Sequence, residues 1–287
     1  MSLENELQTA IELAEKAGTV VMKYYQKGVG IKMKADDTPV TEADLLSNAL
    51  IVEGLQKAFP NDSIVSEETD TVPGNSRAWY IDPIDGTKQF MRGKPEFAVQ
   101  IGLCIDEQPV LGVVHRPNIN YLYFGTKDGG AYLRTKHGDL KLMIEPTLYA
   151  SQPSLMPEQD ALNHFHERMM TVSLSKGFYR EEGVPEMLDA LGKPGIVTSG
   201  SEGLRLMKLV HNLADLHFNE QPDHCGTWDL CAPHAILEAA GGLVQFLDGE
   251  EVTYHGKEKF GKYYLCARTP ELMQYGQEKL RYLLQLS

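Results

Sequence analysis

Ala78-Trp79-Tyr80-Ile81-Asp82-Pro83-Ile84-Asp85-Gly86-Thr87-Lys88-Gln89-Phe90 is the stretch on which the reading of this chain turns. Its apolar opening, Trp79 to Ile81, has the character of a short buried strand. Asp82 and Asp85 follow with Pro83 between them. Proline has no N–H for a sheet ladder, so the strand is expected to end there. Gly86 permits a tight turn or the close approach of a ligand, and Thr87 adds a hydroxyl. Two carboxylates on one turn repel each other unless something positive lies between them. A divalent cation held through oxygen satisfies both. The same residues also suit a turn in which Asp82 caps a helix, and on this stretch alone the two readings stand level.

Working outward, Leu3, Leu7, Ile11, Ala14, Ala17 and Val21 recur at helical spacing and predict a helix over 3–26, ended by Gly28 and Gly30. Thr41-x-x-Asp44 has the spacing of a capping box, with Asp in place of the usual Glu, ahead of a second helix to about Ala58. Ser63 to Ser66 reads as a strand that delivers Glu67 and Glu68. Neighbouring side chains on a strand point to opposite faces, so one glutamate can face a site while the other turns away. Beyond the opening stretch, residues 97–105, 110–114, 121–124 and 131–133 are β-rich and predict a largely antiparallel sheet.

Weak periodicity and Pro146, Pro153 and Pro157 place a boundary after residue 145. Two α/β lobes result, 1–145 and 146–287, with the active site between them. In the second lobe, residues 170–174, 196–198 and 215–218 read as strands. The turn Ser199-Gly200-Ser201-Glu202-Gly203 opens a helix to His211, and its N–H groups can serve a phosphate or a sugar. Cys225-Gly226-Thr227-Trp228-Asp229 opens another helix that Gly241-Gly242 stops, with Asp229 at the expected N-cap and Pro233 in the first turn. A carboxylate there is held rigid and ionised, which suits a hard cation. A hairpin over 243–267 and a helix over 270–286 complete the chain.

The chain has 287 residues, 42% of them hydrophobic, enough for a sizeable core. A net charge of -13 argues against nucleic acid polymers and anionic membranes as partners, and no apolar run is long enough to span a bilayer. The four cysteines, Cys104, Cys225, Cys231 and Cys266, form no CxxC pair, so neither a zinc site nor a disulfide framework is expected. His224 beside Cys225 is only a weak metal signal. The acidic, amphipathic opening does not read as a signal peptide, and a cytoplasmic setting is the expectation.

Together, Pro39-Val40-Thr41-Glu42-Ala43-Asp44, Ser66-Glu67-Glu68, Asp82-Pro83-Ile84-Asp85-Gly86-Thr87 and Trp228-Asp229-x-x-Ala232…Gly241-Gly242 resemble the inositol monophosphatase superfamily of magnesium-dependent, lithium-sensitive phosphatases. The four pieces stand in the family's order across residues 5–267. Lys88 with Phe90, the run Lys34-Ala35-Asp36-Asp37-Thr38-Pro39-Val40-Thr41, and the run from Cys225 to Pro233 look most like the 3'(2'),5'-bisphosphate nucleotidases, which convert 3'-phosphoadenosine 5'-phosphate to AMP and phosphate.

The resemblance implies a layered αβαβα sandwich, commonly homodimeric, acting on a small phosphorylated substrate. It implies Mg²⁺, about two or three ions per subunit, held by Glu67, Asp82, the Ile84 carbonyl, Asp85 and Asp229. Oxygen donors throughout suit Mg²⁺ better than Zn²⁺. Asp44 and Thr87 are then a pair that helps deprotonate an attacking water, with Glu67 also in the catalytic set. Asp85, Gly86, Thr87, Lys88, Gly200, Ser201 and Asp229 are the expected substrate contacts. Inositol phosphate, histidinol phosphate and sugar bisphosphates are alternative substrates. A regulatory binding protein that retains the metal site is the alternative of another class.

Overall fold

Heptad-like apolar positions make helix α1 (Glu4–Lys27), whose Ala10, Ala14, Ala17 and Val21 are wholly buried. The computed structural model describes residues 3–27, 31–33, 39–145, 170–176, 184–219, 221 and 223–285. Strands β1 (Ile31–Met33) and β2 (Pro39–Thr41) pair antiparallel and lead into α2 (Glu42–Ala58). A seven-stranded sheet follows: β3 (Ser63–Ser66), β4 (Arg77–Asp85), then, after the short helix α3 (Thr87–Met91), β5 (Ala98–Ile105), β6 (Gln108–Arg116), β7 (Tyr121–Thr126), β8 (Gly130–Thr135) and β9 (Gly138–Leu142). Its strands lie in chain order; β3 and β4 run parallel and every other pair antiparallel.

The second sheet has the order β11-β10-β12-β14-β13. It comprises β10 (Thr171–Ser175), β11 (Gly195–Ser199), β12 (Leu216–Phe218), β13 (Leu243–Phe246) and β14 (Tyr264–Ala267), and β10 is parallel to both of its neighbours. Helices α4 (Val184–Ala190), α5 (Glu202–Val210), α6 (Thr227–Ala239) and α7 (Pro270–Leu280) are interleaved with these strands, and a 3₁₀ turn runs over Arg281–Gln285.

Side-chain alternation along the strands sets the layers. Trp79, Ile81, Ile101 and Val113 face α1 and α2, whereas Tyr80, Cys104 and Val114 face the opposite way, onto α5 and α6. The far side of α5 and α6 meets Tyr264, Cys266, Val244 and Phe246 of the second sheet. That sheet's other face, with Leu216, Phe218 and Leu265, packs on α4 and α7. The order is therefore α1/α2, sheet, α5/α6, sheet, α4/α7: the expected αβαβα sandwich.

Helix α6 lies unusually close to the first sheet. Gly102, Gly112 and Gly125 are cross-strand neighbours on β5, β6 and β7. A methyl group on Gly112 would come within 2.0 Å of the Ala232 carbonyl oxygen, and one on Gly102 within 2.5 Å of the Cys231 Sγ. The three glycines form a trough for α6: its backbone rests on Gly102 and Gly112, a close approach only glycine allows, and the Ala239 methyl lies over Gly125.

Three expectations are corrected. Strand β4 does not end at Pro83 but continues to Asp85, because the register shift between Asp82 and Asp85 absorbs the proline in a bulge. The N-cap of α6 is Gly226, not Asp229; Asp229 is the third helical residue, and its carboxylate reaches back to the N-cap N–H. Pro233 consequently falls in the second turn rather than the first. The lobe boundary near 146 and the run 34–38 lie outside the described residues. On either side of that boundary, each sheet draws its strands from one part of the chain only.

Candidate active site

Asp82, Asp85 and Asp229 each offer a carboxylate oxygen within 4.8 Å of the others. Strand β4 supplies the first two, and its bulge is what lets both face one place although they are three residues apart. Asp82 Oδ1 accepts the Ile84 N–H at 3.0 Å. Asp229 is brought in from the start of α6, and its Oδ2 accepts the Gly226 N–H at 2.5 Å.

Asp85 is the most heavily supported of the three. Its Oδ2 accepts from Gln100 Nε2 at 2.6 Å, the Ser201 hydroxyl at 2.5 Å and the Gly203 N–H at 2.7 Å. Its Oδ1 accepts only the Glu202 N–H, at 3.0 Å. Three donors saturate Oδ2, so Oδ1 keeps the lone pair available for a further partner.

No cation offsets this cluster fully. Burial, then Glu67, pushes the Asp82 carboxyl well above the ordinary carboxylate range. Burial, Glu67 and Asp85 push Asp229 to about 8. Burial pushes Asp85 to about 6 even though its hydrogen bonds pull the other way. A divalent cation relieves this repulsion, and an all-oxygen donor set fits a hard one. Glu67 is partly buried and its charge acts on both Asp82 and Asp229, which puts it at the edge of the cluster.

Asp44 divides its two oxygens. Oδ2 closes the capping box, accepting the Thr41 N–H at 2.8 Å and the Thr41 hydroxyl. Oδ1 faces the Thr87 hydroxyl at 3.2 Å, and that hydroxyl also points at the Ile84 carbonyl oxygen at 2.9 Å. Capping and contact with Thr87 thus coexist in one side chain. Burial raises Asp44 to about 6. Gly86 takes the left-handed conformation, φ 93°, that turns the chain from β4 into α3.

Of the other expected contacts, Lys88 is exposed on α3. The turn at 200–203 donates as expected, but to protein carboxylates: Gly200 N–H to Glu96 Oε2 at 3.2 Å, and Ser201, Glu202 and Gly203 to Asp85. Ser201 is fully buried, and its hydroxyl supports Asp85.

Sequence reasoning did not find Gln100, nor the two lysines beside Asp229. Lys257 and Lys259 lie over the Trp228 ring at 5.6 and 4.6 Å, and Lys257 Nζ donates to the carbonyls of Glu67 and Thr69, each at 2.9 Å. Nor did it find the buried carboxylate of Glu202, which meets Arg205, the Tyr264 hydroxyl and, at 2.6 Å, His217 Nε2. Each of these contacts joins residues from different elements, except Glu202 with Arg205, whose spacing on α5 was visible.

Clustered oxygen donors at the ends of strands and helices, on an αβαβα scaffold, define a class of metal-using phosphatases. The chain belongs to the inositol monophosphatase family, whose model matches residues 2–278; its members are phosphoric monoester hydrolases that use divalent metal ions. The chain is 30% identical over 259 residues to the 3'(2'),5'-bisphosphate nucleotidase CysQ of Aggregatibacter actinomycetemcomitans, covering 88% of this chain and 89% of that protein. It is 43% identical over 130 residues to the histidinol-phosphatase of Chlorobaculum parvum, covering 45% of this chain and 50% of that one. The inositol monophosphatase of Anabaena shares the fold, with a TM-score of 0.73 at 24% identity over 99% of this chain and 97% of that one.

Proposed function

We propose that this chain is a Mg²⁺-dependent phosphomonoesterase that removes one phosphate from a 3'(2'),5'-bisphosphate nucleotide such as 3'-phosphoadenosine 5'-phosphate. The observation that carries the chemistry is the cluster of buried Asp82 and Asp85 with part-buried Asp229, and a hydroxyl–carboxylate pair, Thr87 and Asp44, alongside it. Similarity to the nucleotidase along most of both chains favours the substrate. The reading places the site between lobes 1–145 and 146–287. Four buried, unpaired cysteines support a reducing, cytoplasmic setting.

Asp82, Asp85, Asp229, Glu67 and the Ile84 carbonyl hold the cation in this reading. When bound, Mg²⁺ supplies Lewis-acid activation of the phosphate and lowers the pKa of water. The chain's own residues do the rest. Asp44 Oδ1 orients the Thr87 hydroxyl, which relays a proton from the attacking water towards Asp44. Gln100, Ser201 and the N–H groups of Glu202 and Gly203 fix the rotation of the Asp85 carboxylate. Gly86, at the turn into α3, leaves room for the phosphate to approach the backbone. Lys88 supplies a mobile charge to the phosphate that is not cleaved.

Phosphate release from a panel of 3'-phosphoadenosine 5'-phosphate, histidinol phosphate and inositol 1-phosphate, with and without Mg²⁺, tests the reading. The bisphosphate is expected to have the highest kcat/KM, with turnover lost in chelator and inhibited by Li⁺. Lys88→Ala is expected to lower kcat/KM about tenfold for the bisphosphate alone. Equal effects on all substrates remove Lys88 from the site. Histidinol phosphate is the second reading, favoured by the higher local identity to a histidinol-phosphatase; its turnover ahead of the bisphosphate would establish it.

A further inference from the structure

Away from the acidic cluster, a cavity of about 180 Å³ opens among Glu96, Arg116, Tyr123, Thr198, Lys208 and His211. Its electrostatics are the reverse of the rest of this acidic chain. The Lys208 ammonium feels the charges of Arg116 and Lys176, and Glu96 is the carboxylate that opposes them. Glu96 is already engaged, by Lys176 Nζ at 2.6 Å and by the Gly200 N–H at 3.2 Å.

Two cationic groups are left with unmet demand. Among the described residues Lys208 has no ion-pair or hydrogen-bond partner, although it lies half-buried on α5. Burial, with Arg116 and Lys176 adding repulsion, holds its ammonium below the ordinary lysine range. Arg116 gives Nη2 to the Pro95 carbonyl at 2.8 Å, but its Nε is buried with no hydrogen-bond partner. A buried donor without a partner is costly, and a half-buried lysine beside a guanidinium more so. Neutral donors stand close by: the Thr198 hydroxyl, and a Tyr123 hydroxyl 3.0 Å from His211 Nε2.

We propose that this cavity is an oxyanion site, separate from the acidic cluster, that takes a dianion of the size and charge of inorganic phosphate on Arg116 and Lys208. A planar guanidinium and a mobile ammonium are the pair that proteins use for such ions. A dianion balances the local excess of positive charge that Arg116 and Lys208 bring to the cavity wall. The site does not depend on the metal: three aspartates without a cation repel phosphate, whereas the cavity attracts it. Ser199 and Leu204, which line the cavity, flank the turn whose donors reach Glu96 and Asp85, so an ion held here borders the support of the acidic cluster.

The test is calorimetric titration and thermal unfolding of the full chain with inorganic phosphate, in Mg²⁺ and in excess chelator, against chloride at matched ionic strength. Saturable binding that persists in chelator is expected. Lys208→Met and Arg116→Met should each weaken it at least about tenfold, and Lys208→Arg should keep it within about threefold. Phosphate that does no more than chloride in chelator overturns the proposal. So does unchanged affinity in both methionine variants. If Arg116→Met fails to fold, Lys208→Met decides alone, since Lys208 makes no bond that folding would miss.

Discussion

The first turn of α5 touches two buried carboxylates, and the protein treats them in opposite ways. Burial alone would raise Glu202, yet Arg205 and then His217 overcome it and hold the carboxyl far below its ordinary range. Asp85 accepts more hydrogen bonds than Glu202 but has other carboxylates for neighbours, and burial leaves it raised to about 6. Hydrogen bonds orient both; only one is neutralised. A buried acid whose charge is matched from within belongs to the framework, whereas a group of acids left short of positive charge has a place for something from outside.

The sharpest way to break this comparison is to neutralise one acid of the unmatched group. Asp229→Asn is expected to lower kcat/KM on the order of 10⁴-fold or more, while raising the melting temperature of the chelated protein, because one repelling charge is gone. Near-normal turnover at saturating Mg²⁺ would remove Asp229 from the metal set. Next, Thr87→Ala should cost about 10²–10⁴-fold in kcat, as should Asp44→Asn. The double variant should be little worse than either single one if the two act as a unit, and losses that multiply would show that they work separately.

On the matched side, Glu202→Gln removes the buried negative charge that Arg205 and His217 share and should cost about 3–5 kcal/mol of stability, read from the urea midpoint. A loss below about 1 kcal/mol would mean that Glu202 is not the anchor of this cluster. The smallest effect is one of pH. Asp44 and Asp85, raised from 3.8 to about 6, and Asp229, raised to about 8, hold protons more tightly when folded than when unfolded. Their contribution is therefore complete below about pH 4 and is lost as pH climbs through about 6 and then about 8. Chelated protein should become less stable across that window, and Mg²⁺ should flatten the slope. A chelated protein that gains stability from pH 4 to 8 contradicts the unmatched charge.

What was legible in the sequence was what neighbours in the chain decide. Thr41 and Asp44 are three residues apart, and their capping box could be read directly. The apolar run Trp79-Tyr80-Ile81 could be read as a buried strand, and the alternation of its side chains is what separates the first two packing layers. Asp229 was placed one position-class wrong because aspartate serves a helix start either as N-cap or, reaching back, as third residue, and the side chain ends in nearly the same place. Pro83 misled because proline's missing N–H stops a regular ladder, but a bulge does not need that bond. The support of Asp85 was invisible for another reason: Gly203 and Asp85 are 118 residues apart, and no local propensity encodes a contact made by stacking layers. The same holds for Lys259 over Trp228, which depends on where a loop returns to the sandwich.

The glycine trough under α6 has a consequence for how this sequence can change. Gly102, Gly112 and Gly125 contribute no atom to the acidic cluster, yet the helix that carries Asp229 is seated by what they lack. Exchange of an exposed residue on α1 leaves that seating alone, whereas a single added methyl at Gly112 must lift the helix or tilt it. Positions that do no chemistry therefore limit which substitutions this chain can accept, because the placement of Asp229 depends on empty spaces in a sheet as well as on the carboxylates above them.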